Sequence, residues 1–167
     1  GTWKTEYTWG DGGINQELQY YADPNKHSVQ PFVLNASILH IEAKPTEARH
    51  LSRVRGLPYT SGLLTSEGSF DQVYGLFELR ARLPAGQGLW PAFWLLPTDK
   101  KKWRERGYWR LPEIDIMEFL GHEKTLYHAT LHTRTPAGGG GRVTKDGYTV
   151  YGTSVDTGLD LTADYHL

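Results

Sequence analysis

Hydrophobic and polar residues alternate along several stretches of the chain, and this period of two predicts β-strands with one buried face. The cleanest alternation runs over residues 74–83, where one face is mostly charged and the other is apolar. Residues 29–44 predict a hairpin, and residues 45–58 predict an exposed polar loop. Further strands are predicted at 89–97, 126–133 and 148–155. No long stretch has a helical period, so the pattern predicts an all-β fold of antiparallel strands.

One apolar stretch, residues 111–121, carries three carboxylates within six positions. β-prone residues separate Glu113, Asp115 and Glu118, so the stretch predicts a strand. A buried carboxylate without a partner costs several kcal/mol or becomes protonated, so three acids in one strand indicate chemistry. The alternative interpretation is a half-exposed strand whose acids simply face water.

The parity of these acids along the strand predicts a β-bulge. Glu113 and Asp115 share a face, whereas Glu118 is five residues from Glu113 and projects from the other face of a regular strand. One extra residue at 116–117 returns Glu118 to the same face. Four strand steps then separate the backbones of Glu113 and Glu118, which is about 13 Å. If both side chains, each about 4 Å long, lean towards each other, about 5 Å remains between the two carboxyl groups. Retaining glycosidases need about 5–5.5 Å between carboxyls, and inverting ones about 6.5–9.5 Å.

The motif Glu-Ile-Asp-Ile-Met-Glu resembles the active-site signature of glycoside hydrolase family 16 in its bulged form. The resemblance implies a retaining endo-glycanase on a β-jelly-roll sandwich of two antiparallel sheets with a concave substrate cleft. It also implies that Glu113 is the nucleophile, that Glu118 is the acid/base, and that Asp115 hydrogen-bonds the nucleophile and tunes the pair. Because like charges raise one pKa of a close pair, one Glu can stay protonated while its neighbour stays ionised.

Tryptophans are the predicted sugar-stacking residues. The segment around Trp90 and Trp94 resembles the family's Gly-Leu-Trp-Pro-Ala-Phe-Trp segment, and these residues are four apart, so one strand face can carry both. Trp109 lies four residues before Glu113, close to where the family has a subsite tryptophan. Flat indoles bind sugar faces, and their N–H groups reach hydroxyls. The alternative is that these side chains are core aromatics.

His132 and Asn15 are the predicted polar contacts to the sugar. His132 matches the family's histidine at the end of the strand 126–133, near the sugar bound at the nucleophile. Asn15 lies in a stretch that resembles one rim of the family's cleft, although a polar turn residue is an equal alternative. His128 shares a face with His132 but is about 13 Å away along a strand, so a shared metal is not expected and His128 is interpreted as structural.

Length predicts one domain over residues 1–167, which the resemblance implies is catalytic; no cofactor and no metal at the catalytic site are expected, and a structural calcium is left open. The chain of 167 residues has 19 glycines and 9 prolines, 13% aromatic residues, no cysteine and a net charge of −1. Cysteine-free chains have neither disulfides nor thiolate metal sites, and the charge balance predicts no nucleic-acid partner. No apolar run is long enough for a membrane helix, so no membrane partner is expected. The family is longer, so we expect a fragment that lacks strands at both ends.

The predicted substrate is a polysaccharide, and the oligomeric state is left unassigned. The motifs most resemble the laminarinase and endo-β-1,3(4)-glucanase branch, so internal cleavage of a β-glucan outside the cell or in the periplasm, by a secreted protein, is the first hypothesis. A second hypothesis is a depolymerase of a succinoglycan-like bacterial exopolysaccharide, with the charged connector at 99–110 contacting acidic groups; the connector can equally be a solvated loop. A third is a carbohydrate-binding sandwich without catalysis.

Overall fold

The computed structural model describes residues 1–7, 12–99, 112–133, 141–144 and 149–167, and its regular elements are mostly short β-strands. The chain divides into two compact units, Gly1–Val73 and Tyr74–Leu167. One catalytic domain over the whole chain therefore stays a prediction. None of the helices in the described ranges has the length and apolar character needed to cross a membrane.

The first unit contains two small sheets. Strands β1 (Gln19–Tyr21), β4 (Lys44–Pro45) and β5 (Tyr59–Ser61) form one sheet in the order β1-β5-β4, with β1 parallel and β4 antiparallel to β5. Strands β2 (Phe32–Asn35) and β3 (Ile38–Ile41) form an antiparallel hairpin. The hairpin predicted for this part of the chain is therefore confirmed.

A short helix of the first unit is fixed at its N-terminus by an aspartate. The helix α1 (Pro24–His27) follows Asp23, whose side chain accepts hydrogen bonds from the backbone N–H groups of Asn25 and Lys26. The hydroxyl of Thr5 donates a further hydrogen bond to Asp23, which is almost fully buried. Burial itself raises the pKa of Asp23, but these three hydrogen bonds outweigh it and hold the pKa below its usual value.

The core of the first unit lies where the chain leaves a 3₁₀-helix. Tyr20, Ala22 and Val54 form this buried cluster, and Val54 is fully inaccessible to solvent. The 3₁₀-helix spans Ala48–Arg53 and ends at Val54. Residues 45–58 are mostly exposed, as predicted, but Ala48–Arg53 form a 3₁₀-helix instead of a loop, and Val54 is buried because it anchors the end of this helix in the core.

The second unit contains a five-stranded antiparallel sheet. Its strands are β6 (Ala92–Leu95), β7 (Glu113–Glu118), β8 (Leu126–Thr133), β9 (Arg142–Val143) and β10 (Thr149–Asp156). Their spatial order is β6-β7-β8-β10-β9, so β7 and β8 lie in the interior of the sheet. Because both neighbours of β7 hydrogen-bond to it, its side chains are held in a defined register.

Four strands predicted in this unit, at 89–97, 111–121, 126–133 and 148–155, correspond to β6, β7, β8 and β10, and one predicted strand is wrong. The strand β8 has the predicted bounds, and β10 differs from its prediction by one residue at each end. Residues 74–83 form no strand; Ala81 makes only an isolated antiparallel bridge to His166. Alternation predicts an extended chain, but a strand also needs a partner along its length, and here the pairing is confined to the end of the segment.

Gly121 holds the end of the acidic strand against a neighbouring loop. Its N–H donates to the carbonyl of Leu89 across 2.9 Å, and its carbonyl accepts from the N–H of Gly86 across 2.8 Å. A Cβ at this position would lie 2.3 Å from the Gly86 carbonyl oxygen and 3.0 Å from that of Pro84. Only glycine therefore allows the two backbone segments to approach this closely.

Candidate active site

The strand β7 contains a β-bulge at Ile116 and Met117. Asp115 pairs with Thr130 of β8, and Glu118 pairs with His128, so two residues of β7 lie opposite one residue of β8. The register between β6 and β7 shifts at the same place. The bulge predicted from the parity of the acids is therefore confirmed at the predicted residues.

The bulge brings the three acidic residues of β7 to one face of the sheet, which we call the acidic face. Their partners on β8 are spaced two residues apart, and directly opposed residues of antiparallel strands share a face. The pairs are Glu113 with His132, Asp115 with Thr130, and Glu118 with His128. If the same six residues formed a regular strand without the bulge, Glu118 would project from the opposite face.

Asp115 is the most buried of the three acids, with 5% of its surface exposed, and it is held by a histidine. The Oδ2 atom of Asp115 lies 2.9 Å from Nε2 of His132. Burial raises the pKa of Asp115, and the charge and hydrogen bond of His132 partly offset that rise. His132 therefore contacts the acid between the two glutamates directly.

The same residues offer a donor set that a metal ion can use. One ligand atom each from Glu113, Asp115 and His132 lie within 4.8 Å of one another. Two carboxylates and one imidazole suit a divalent transition metal. The prediction of a metal-free site is not tested by this geometry, since a glycosidase also needs clustered acids.

Glu118 lies among groups that push its pKa in opposite directions. Burial raises the pKa of Glu118 most, and the nearby charge of Asp115 raises it further. His132, the Trp90 side chain and the Thr130 hydroxyl oppose the rise, and Thr130 Oγ1 donates to Glu118 Oε2 across 3.4 Å. The net result is a raised pKa, as a carboxyl group that must donate a proton near neutral pH requires.

The predicted stacking residues have different surroundings. Trp94 lies in β6 directly opposite Asp115, so its side chain shares the acidic face. Trp90 precedes β6, is 48% exposed, and hydrogen-bonds Glu118 through its side chain. Trp109 lies outside the described residues. The sequence associated Trp90 with sugar stacking but missed its contact with Glu118, because the direction of an indole N–H depends on the fold.

Asn15 lies in a turn of the first unit and is exposed. Its backbone φ is 52°, in the left-handed region that asparagine tolerates better than most residues. Its side-chain amide donates to Glu17 across 3.2 Å. These observations agree with the turn alternative, and a sugar contact for Asn15 stays a prediction.

Thr130 and His128 are two residues of β8 on the acidic face that the sequence did not assign to the site. Both alternate with His132 along β8, and this spacing was the available signal. What the sequence lacked was the register, which aligns Thr130 and His128 with the two sides of the bulge. Their contacts with Glu118 and with residues of β10 follow from that alignment.

Comparison with known proteins defines the class to which this fold and site belong. The family described as glycosyl hydrolases family 16 matches residues 5–167 of the chain. The chain therefore belongs to glycosyl hydrolase family 16. Its fold is the β-jelly-roll sandwich of that family, as predicted.

Individual relatives bear names of glucan-degrading enzymes. The chain is 39% identical over 141 residues to the endo-1,3-1,4-β-glycanase ExsH of Rhizobium meliloti, which covers 80% of this chain and 29% of that protein. It is 40% identical over 131 residues to a β-glucanase of Rhodothermus marinus, covering 75% and 40% of the two chains. It also resembles the laminarinase catalytic domain of Thermotoga maritima, with a TM-score of 0.65, 29% identity and coverage of 99% and 61%. The chain thus spans under two thirds of each of these relatives.

Proposed function

We propose that the protein is a retaining, endo-acting glycoside hydrolase that cleaves internal β-linkages of a β-1,3- or β-1,3(4)-glucan. The observation that carries this proposal is the bulge at Ile116 and Met117, which aligns Glu113 and Glu118 on one face of the sheet. A structural strand has no need of such an alignment, whereas a double displacement needs two carboxyl groups that reach one glycosidic bond.

In this mechanism Glu118 acts first as an acid and Glu113 as a nucleophile. Glu118 donates its proton to the leaving glycosidic oxygen while a carboxylate oxygen of Glu113 forms a bond to the anomeric carbon. Glu118, now ionised, then takes a proton from water, and the water oxygen displaces Glu113 and releases the sugar with its original configuration. The raised pKa of Glu118, caused first by burial and then by the charge of Asp115, supports the first role.

Asp115 and His132 support the two glutamates in this proposal. Asp115 lies between them in the strand, and its charge favours a proton on Glu118. His132 fixes the carboxyl group of Asp115 through the 2.9 Å contact between Nε2 and Oδ2. The pair therefore keeps the middle acid in one orientation while the proton on Glu118 is lost and regained.

The glucan substrate follows from the aromatic residues and from the relatives. Trp94 shares the acidic face and Trp90 is half exposed beside Glu118, so both indoles are candidates for apolar contact with sugar rings. Trp109, His132 and Asn15 remain proposed substrate contacts. The relatives are named as glycanases and glucanases of 1,3- and 1,4-linked chains. As an enzyme for a polysaccharide substrate, the protein is proposed to act outside the cell or in the periplasm.

The proposal is tested by hydrolysis assays on three polysaccharides with matched variants. The purified protein and its Glu113→Gln and Glu118→Gln variants are incubated with laminarin, lichenan and an acidic bacterial exopolysaccharide, and new reducing ends are counted. We expect turnover of a glucan and a loss of at least about 10³-fold in kcat/KM for either variant. The control is Glu47→Gln, an exposed carboxylate of the first unit.

The outcomes separate the three hypotheses. Cleavage of the acidic exopolysaccharide with no turnover of glucans would reject the glucan assignment in favour of a depolymerase. Glucan binding without turnover would favour a non-catalytic module. Proton NMR of the first product formed tests retention, and an inverted anomer would contradict the nucleophilic role of Glu113.

A further inference from the structure

Three polar side chains form a hydrogen-bonded chain beside Glu118, which we call the His128 relay. Nε2 of His128 lies 3.0 Å from Oε2 of Glu123, and Nδ1 lies 3.0 Å from Oγ of Ser154. His128 pairs with Glu118 on one side and with Ser154 of β10 on the other, so all belong to the acidic face. The relay therefore starts at the turn after β7 and crosses β8 to β10.

The contact with His128 leaves the hydroxyl group of Ser154 able to bind a ligand. A serine hydroxyl has one hydrogen to donate and two lone pairs that accept, and the contact with Nδ1 of His128 uses one of these. Whichever of the two atoms donates, the Ser154 hydroxyl keeps further hydrogen-bonding capacity with respect to His128, and Ser154 is exposed to solvent within the part of the chain that the structure describes. The relay thus orients a hydroxyl group towards the surface.

The relay is not needed to hold its strands together. The strands β8 and β10 already pair over eight residues, from Leu126 with Asp156 to Thr133 with Thr149. An exposed side-chain hydrogen bond adds little to a backbone ladder of that length. One ring nitrogen of His128 contacts Glu123 and the other contacts Ser154, so the imidazole holds an exposed hydroxyl group in one orientation. This arrangement suits the binding of a ligand better than it suits the pairing of strands.

We propose that the His128 relay is a binding subsite for a hydroxyl group of the sugar that leaves with the oxygen protonated by Glu118. The inference rests on the proposed function, because it assigns the leaving side of the bond to Glu118. The relay lies on the Glu118 side of the bulge, whereas Glu113 and Asp115 lie on the other. Ser154 lies two strand spacings from β7, about 10 Å, a span suited to a sugar ring beyond the cleaved bond.

The test compares two substrates that differ only in the leaving group. One is a laminari-oligosaccharide whose leaving group is a sugar, and the other is an aryl β-glycoside of the same donor part, whose leaving group lacks sugar hydroxyls. We expect Ser154→Ala to lower kcat/KM for the oligosaccharide about five- to tenfold and to leave the aryl glycoside within about twofold of wild type. Glu123→Gln, which keeps the side-chain size, is expected to act in the same direction.

Controls separate this subsite from folding and from catalysis. Thr153 is the exposed neighbour of Ser154 in β10, and it pairs with Ala129, so its side chain lies on the opposite face. Thr153→Ala removes its hydroxyl group and should leave kcat/KM for both substrates unchanged. Thermal unfolding checks that each variant is folded. If Ser154→Ala does not fold, the comparison of the two substrates is made with Glu123→Gln instead. An equal loss for both substrates, or no loss for either, would overturn the relay proposal while leaving the hydrolase assignment intact. A wild-type protein that cleaves neither substrate would instead reject the proposed function, and the subsite with it.

Discussion

The hydroxyl group of Thr130 donates a hydrogen bond to Glu118 across 3.4 Å, from the strand position next to the bulge. This contact favours the ionised form of Glu118, whereas burial and the charge of Asp115 favour the protonated form. The balance between these groups determines the highest pH at which Glu118 still carries the proton that it must donate.

Thr130→Val is therefore expected to move the alkaline limit of activity to higher pH. Removing the donated hydrogen bond disfavours the ionised carboxylate, so the pKa of Glu118 rises further and the proton is retained to higher pH. The loss in kcat/KM at the optimum should stay below about tenfold, because one long hydrogen bond is removed. The measurement is kcat/KM on the preferred glucan across pH. Thr153→Val, on the opposite face, serves as control, and a shift of the limb to lower pH would contradict the assignment.

Deletion of Ile116 is expected to remove the bulge but to leave the acids aligned, because Glu113, Asp115 and the shifted glutamate would then be spaced two residues apart in a regular strand. The pairing of Asp115 with Thr130 and of the glutamate with His128 needs no other change in register. We expect kcat/KM on the preferred glucan to fall by less than about 10²-fold, through a change in the direction of the Glu118 side chain. Ile116→Val keeps the residue count and should retain most activity. A deletion variant that is folded by circular dichroism but inactive would show that the bulge itself, and not only the shared face, is required.

Asp23→Ala is expected to lower the free energy of unfolding by about 1–2 kcal/mol through loss of the cap of α1. Asp23→Asn keeps an acceptor for the cap and tests the charge. The native pKa of Asp23 is lowered, so its ionised form contributes stability above the unfolded pKa of about 4, and this contribution is lost as the pH falls through the native pKa. Urea unfolding of the wild type and Asp23→Asn should therefore differ at pH 7 and converge in acid. If the difference in the free energy of unfolding between the two proteins grew as the pH fell, this prediction would be wrong.

Gly121→Ala is expected to destabilise the protein by about 1–3 kcal/mol, since its Cβ would collide with the Gly86 carbonyl oxygen. The matched control is Gly152→Ala in β10, where the nearest atom to a new Cβ is 3.7 Å away. That variant should change the free energy of unfolding by less than about 0.5 kcal/mol. Urea unfolding at one pH compares the two, and equal effects would show that the close approach at Gly121 is relieved by movement of the loop.

Local patterns in the sequence were sufficient to predict most strands of the five-stranded sheet and the bulge, but not the contacts between distant residues. Parity placed Glu118 on the wrong face of a regular strand, so an extra residue could be inferred without coordinates. The contact between Asp115 and His132 joins positions 17 residues apart and depends on the register of β7 and β8. Likewise, the alternation at 74–83 describes an extended chain but contains no information about whether a partner strand is present.

The β-bulge at Ile116 and Met117 makes the alignment of the two glutamates a matter of how many residues lie between them, rather than of which residues these are. Changing a single nucleotide in a codon replaces a side chain but cannot shorten the segment. Missense drift can therefore alter the acidity of either glutamate without changing the face from which each projects. Loss of one codon at the bulge would leave an even spacing in a regular strand, so a longer, bulged lineage and a shorter, regular one can both keep the two acids aligned.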